Sequence, residues 1–188
     1  MQDDIDTTDI YTMEVLKDRL EKDKYLLTEA ASPIKASDMP LFKRLAYYPV
    51  DKNFVFATVL RRLEHPGEVV IATTRNESRS MLHIGALPFT LDGNEYKLQV
   101  YAPKDSTDDY YWFIPFTDAT NGKETYAGGR YLDIDNIESD SVFLDFNYAY
   151  NPYCAYNEGF DCPIPPAENA LPIAITAGEQ NYPLQREK

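Results

Sequence analysis

Ser80-Met81-Leu82-His83-Ile84-Gly85-Ala86-Leu87-Pro88-Phe89-Thr90-Leu91-Asp92-Gly93-Asn94-Glu95-Tyr96-Lys97-Leu98-Gln99-Val100-Tyr101-Ala102 places two apolar runs on either side of Asp92-Gly93. Ser80 to Phe89 and Glu95 to Ala102 have the length and the branched and aromatic content of strands. Asp-Gly and Gly-Asn between them tolerate the positive φ of a tight hairpin turn. Working outward, Phe54 to Leu60 reads as a strand bounded by Asp51-Lys52-Asn53 and His65-Pro66-Gly67. Glu68 to Thr74, Tyr110 to Phe116, Arg130 to Ile134 and Val142 to Phe146 read likewise, with another turn at Asn121-Gly122. Short strands with no helix between them predict an antiparallel β-barrel or sandwich.

Upstream, Ile10, Met13, Leu16, Leu20 and Leu27 follow at steps of three, four or seven, predicting an amphipathic helix over 8–30 that Ser32-Pro33 ends. Met39 to Leu45 allows a second helix or a turn. Six prolines after Asn151 predict a proline-rich strap over 148–188, with an edge strand at Pro172 to Thr176. The expected fold is therefore mainly β (α+β), a single domain over 1–188 with its β-rich body at 50–147.

The 188 residues are 44% hydrophobic and 26% charged, as globular chains are, which argues against disorder. A net charge of -13 repels phosphate backbones and anionic lipid, so neither nucleic acid nor membrane is an expected partner. No run approaches a membrane span and no leader precedes the helix, so the chain as written is cytoplasmic, or exported if a leader was removed.

Between Asp105 and Glu158 eleven acids face two basic residues, Lys123 and Arg130. Asp133 to Asp140 spaces its carboxylates somewhat as a calcium loop does, but Glu138 and Leu144 occupy positions that need Gly and Glu. His65, His83, Cys154 and Cys162 lack zinc spacing, so no metal is expected. Cys154 and Cys162 can close a small disulfide loop, or remain thiols in a reducing cytosol. Arg130 should pair with Asp118, Glu124 or Asp145, or else receive an anion. Asp145 to Asn157 combines tyrosines and asparagines that suit either a small-ligand pocket or a packed irregular loop.

Phe113-Ile114-Pro115-Phe116-Thr117-Asp118, Glu124-Thr125-Tyr126, Gly129-Arg130-Tyr131-Leu132, Asp145-Phe146-Asn147-x-Ala149-Tyr150-Asn151-Pro152-x-Cys154-Ala155, Cys162-Pro163-x-Pro165-Pro166-x-Glu168-Asn169 and Ile175-x-Ala177-Gly178-Glu179 occur in that order. Together with Ser32-Pro33-Ile34 and Phe42-x-x-Leu45-x-Tyr47-Tyr48-Pro49, they closely resemble the bacterial and archaeal family catalogued as domain of unknown function 1684. The resemblance implies that the motifs form one site, and it names no activity or cofactor. The family pattern usually has basic residues where Tyr148 and Ala170 stand here, which weakens the idea of an anionic ligand.

The expected function is small-molecule binding in a polar pocket between the β-body and the strap. Its candidate lining is Asp118, Glu124, Tyr126, Arg130, Asp145, Asn147, Asn151, Cys154, Glu168 and Asn169. The alternatives are a hydrolase or lyase using carboxylates or Cys154, and a structural or interaction module.

Overall fold

The computed structural model describes residues 9–104, 111–135, 137 and 139–184. Leu91 pairs with Asn94 across a two-residue turn in which Asp92 and Gly93 adopt φ of 51° and 77°. Both angles are positive, as a turn matched to the right-handed twist of its strands requires. The strands are β1 (Val55–Val59), β2 (Arg61–Ala72), β3 (Ser78–Leu91), β4 (Asn94–Pro103), β5 (Tyr111–Phe116), β6 (Arg130–Asp135) and β7 (Ser141–Asp145), with one helix, α1 (Ile10–Thr28).

The expected barrel does not close. An antiparallel sheet runs β2-β3-β4-β5-β6 from edge to edge, and β1 pairs with β7 in a separate two-stranded sheet. Closure would need β2 against β6, yet β2 is exposed along most of its length. His65-Pro66-Gly67, expected to bound a strand, instead lies inside β2 at a register shift between Arg62 and Gly67. A proline without an N–H and an irregular ladder both blunt an edge strand.

Tyr111-Trp112-Phe113-Ile114-Pro115-Phe116 is buried on both faces of its strand. Trp112, Ile114 and Phe116 join the core that the two sheets share with Leu87, Leu98, Leu144 and Phe146. Phe113 points the other way, with Tyr131, Tyr101, Ile71 and Met81. Phe113 and Tyr131 of this second face line a cleft.

The helix forms where expected but turns a different side inward. Ile10 and Leu20 remain 74% and 69% exposed, whereas Val15, Asp23 and Leu26 are buried. Polar anchors decide this orientation. Asp23 Oδ1 accepts from the Leu45 amide at 2.9 Å, and Arg19 donates to the carbonyls of Tyr48 at 2.9 Å and Asn147 at 3.2 Å. Met39 to Leu45 contains a turn and no second helix.

After β7 the described chain has only three-residue 3-10 turns, at Phe146–Tyr148, Tyr153–Ala155 and Ala167–Asn169. Isolated bridges tie this segment down, Tyr150 to Tyr131, Pro163 to Thr73, Ala170 to Thr117 and Glu179 to Tyr47. The expected strand at Pro172 to Thr176 is absent. Pro172 has no N–H to give, and the backbone bonds here, from Leu171 N to the Thr117 carbonyl and from Ala119 N to the Ile173 carbonyl, stop short of Ile175, which Asp118 and Arg130 hold instead.

Candidate functional site

Arg130, at the start of β6, is fully buried. Its Nη2 pairs with Asp118 Oδ2 at 2.8 Å and donates to the Ile175 carbonyl at 2.8 Å. Its Nη1 donates to the carbonyls of Ala177 at 2.5 Å and Glu179 at 3.1 Å. One guanidinium thus holds three alternate carbonyls of an extended segment, and the internal ion pair takes the place open to an anion. Asp118 Oδ1 accepts from Thr120 N at 2.8 Å and Thr120 Oγ1 at 2.6 Å.

The asparagines act in the same way. Asn147 accepts the Asp51 amide at 2.9 Å and donates to the Asp51 carbonyl at 2.8 Å, while Asp145 accepts from Tyr11 Oη at 2.7 Å. Asn169 accepts the Gln99 amide at 2.6 Å and donates to the carbonyls of Gln99 at 3.0 Å and Pro115 at 2.8 Å. Asn151 donates to the Gln180 carbonyl at 2.8 Å. Glu124 and Glu168 are exposed, and Tyr126 packs against the apolar cluster that holds Leu26, Phe42, Tyr156 and Tyr182. Cys154 is bonded to Cys162 as a disulfide, so the cysteine nucleophile considered for an enzyme has no thiolate to offer.

A further carboxylate sits at the centre of these contacts. Glu179, 1% exposed, accepts from the Asn151 amide at 2.9 Å and Tyr156 Oη at 2.6 Å and pairs with Lys22 of α1. A buried carboxylate needs such a partner to remain charged. The Lys22 ammonium also lies 4.9 Å from the centroid of the Tyr150 ring.

Lys22 stands at the edge of a cleft of about 550 Å³ between the outer face of β5 and β6, α1 and residues 150–163. Tyr25, Tyr111, Phe113, Tyr131, Tyr150, Tyr153 and Phe160 provide its rings, and Lys22, Arg79, Asp133 and Asp161 its charges. The rings brace one another, Tyr131 edge-on to Phe113 at 4.9 Å and to Tyr150 at 5.7 Å. Asp133 is exposed at the mouth, but both of its oxygens are capped. Tyr150 donates to Oδ2 at 2.6 Å and Tyr111 to Oδ1 at 2.9 Å. Desolvation among these groups lifts the Asp133 carboxyl above its ordinary 3.8, against the two phenol hydrogen bonds and Lys22. Burial, and then the Asp133 charge, push the Tyr111 and Tyr150 phenols well above 10, so both stay protonated at physiological pH. None of the ten residues singled out from the sequence lines this cleft; Asn151 adjoins it through Tyr150 and Cys154 through Cys162. Among the described residues, no three His, Cys, Asp or Glu side chains are grouped to hold a metal ion.

A family model described as "Protein of unknown function (DUF1684)" matches residues 41–180. The chain belongs to the DUF1684 family. Its structure is similar to the solution NMR structure of an uncharacterized protein of Haloarcula marismortui. The two share 33% sequence identity over 92% of this chain and 95% of that one, with a TM-score of 0.71. No curated protein matches this chain.

The span matched to DUF1684 contains Arg130, Asp118 and every cleft residue except Lys22, Tyr25 and Leu26 of α1. Glu179 belongs to the Ala177-Gly178-Glu179 motif, the one sequence signal that sets it apart. The cleft also left a signal. Tyr111 and Phe113 on one strand and Tyr131 and Asp133 on the next are each two apart, and so share a face. The register that sets Phe113 against Asp133 is visible only in the fold.

Proposed function

We propose that this protein binds a small polar molecule in the cleft between β5–β6, α1 and residues 150–163. On this reading the chain is one domain over 1–188, and the proline-rich 148–188 is a strap that walls the cleft. One observation carries the proposal: seven rings and four charged side chains from five separate parts of the chain converge on about 550 Å³. That volume lies within the range of small-ligand sites, which combine apolar walls with few polar groups. The polar motifs outside the cleft support it indirectly, since their side chains are engaged in holding the C-terminal segment.

A hydrolase reading has less support. Asp133 meets phenol donors through both oxygens, which suits an acceptor better than a general acid. Asp118 is paired with Arg130. The Pro163-x-Pro165-Pro166 segment is packed, with Pro163 accepting from Tyr131 Oη, and so is a poor ligand for another protein. The disulfide supports an oxidising compartment, and hence the exported alternative.

Amide-shift mapping with a chemically diverse fragment library tests the proposal. Shifts clustered on Tyr111, Tyr131, Asp133, Tyr150 and Tyr153 are expected. A library that leaves these amides unmoved refutes it.

A further inference from the structure

Resting on the binding reading just given, we infer that the cleft takes a neutral, polyhydroxylated ligand, a small saccharide. Charge is the first ground. Lys22 and Arg79 balance Asp133 and Asp161, so the lining carries no formal excess that would select an anion or a cation. The positions of those charges are the second. An aromatic cage for an organic cation needs several open ring faces turned to one point, and Phe113 and Tyr131 are at most 6% exposed. The Tyr150 face already holds the Lys22 ammonium, which Glu179 ties in place from beneath. An anion would need a cation without a fixed partner. Lys22 is committed to Glu179, and Arg79 donates at 2.9 Å to the Asp161 carbonyl, with the Asp161 carboxylate on the same residue.

The remaining chemistry matches hydroxyl groups. A hydroxyl donates one hydrogen bond and accepts others, so it is best met by a surface that mixes acceptors with donors. Asp133 and Asp161 are acceptors, Lys22 and Arg79 keep N–H groups beyond the bonds just named, and the phenols of Tyr111 and Tyr150, whose hydrogens go to Asp133, accept. Because those phenols stay protonated, the mixture holds across physiological pH. The rings of Tyr153 and Phe160, centroids 5.2 Å apart, offer apolar area against which the C–H side of a sugar ring can lie. Tyr153 is 40% exposed, so its ring is open to an incoming ligand.

The test is amide-shift titration of the full chain at millimolar concentrations of maltose, cellobiose, lactose, trehalose and N,N′-diacetylchitobiose, with choline and citrate as charged probes. Two variants accompany it: Tyr153→Ala, which removes an exposed wall, and Asp133→Ala, which removes an acceptor. The expected result is that at least one saccharide shifts the Tyr111, Asp133, Tyr150 and Tyr153 amides saturably. Each variant, with an otherwise native spectrum, should then weaken that binding at least tenfold. If choline or citrate moves these amides and no saccharide does, the saccharide inference is overturned while the binding reading stands. If a saccharide binds but neither variant weakens it, the assignment to this cleft is overturned. If neither these probes nor the fragment library move the cleft amides, both readings fail.

Discussion

Replacing Arg130 by Met removes the donor to Asp118 and to the carbonyls of Ile175, Ala177 and Glu179 while keeping most of the apolar stem. The pair is fully buried on both sides. An uncompensated buried charge costs about 3–5 kcal/mol. Each carbonyl left without a donor adds about 1 kcal/mol, for a total of about 6–8 kcal/mol. Since domains are stable by about 5–15 kcal/mol, Arg130→Met should be close to unfolding at room temperature. Its melting point, followed by circular dichroism, should fall by roughly 12 °C or more at about 2–4 °C per kcal/mol. Asp118→Asn combined with Arg130→Met removes the stranded charge. It also keeps an oxygen for Thr120 and Ile175, so it should recover about 2–3 kcal/mol of the loss. Arg130→Lys should fall between the two, because one ammonium cannot span three alternate carbonyls. A cost below about 2 kcal/mol for Arg130→Met, or a double variant no more stable than the single, would refute the view that this motif is a clasp for the C-terminal segment.

Three more outcomes follow from the same contacts. Cys154→Ser with Cys162→Ser opens a loop of separation 8 and should lower stability by about 2–3 kcal/mol in urea denaturation; an unchanged midpoint would contradict a constraint there. Gly178 has φ 78°, and a Cβ would stand 2.5 Å from the Ala149 carbonyl oxygen, so Gly178→Ala should cost about 3 kcal/mol. Gly67→Ala, with nothing within 4 Å, should be near neutral in the same melt. Burial pushes Tyr101 up to about 12 and raises Tyr131 and Tyr156, all three at most 5% exposed. The folded state keeps these protons after the unfolded chain loses them, so stability is intact below pH 10 and falls as pH rises towards the folded values. At pH 11 the three together should cost about 4 kcal/mol. Absorbance of tyrosinate should rise in one step with loss of circular dichroism, and a gradual rise without unfolding would exclude the effect.

Where the backbone supplies its own partners, the sequence was legible. Six strands lie at the runs where alternation, branching and turn residues put them, and Asp92-Gly93 makes the expected hairpin, whereas β2 reaches back through His65-Pro66-Gly67 to Arg61. Legibility fails where side chains act on distant backbone. The inward face of α1 is set by Asp23 at Leu45 and by Arg19 at Tyr48 and Asn147, contacts separated by 22, 29 and 128 positions. Apolar spacing along the helix carries no information about any of them. The same holds for closure of the sheet, since a barrel and an open sheet have the same strands and differ only in whether the edge of β2 finds a partner.

The polar motifs and the cleft then follow from one cause. A segment with almost no ladder, as 146–184 is, must satisfy its buried backbone by other means. Arg130, Asn147, Asn151, Asn169 and Glu179 do so at fixed points, each holding backbone at the contacts described above. Fastening at points rather than along a ladder holds the segment off the sheet between them. At Tyr150 and Pro163 the chain touches β6 and the stretch after β2; between those bridges it loops outward around the disulfide, and α1 covers one side. The space enclosed is the cleft, lined by whatever β5 and β6 present on that face: the rings at 111, 113 and 131 and the carboxylate at 133. Fasteners and cleft lining therefore belong to different residues, and a variant that loosens a fastener should lose the cleft with it, whereas Tyr153→Ala should change only the binding proposed for the cleft.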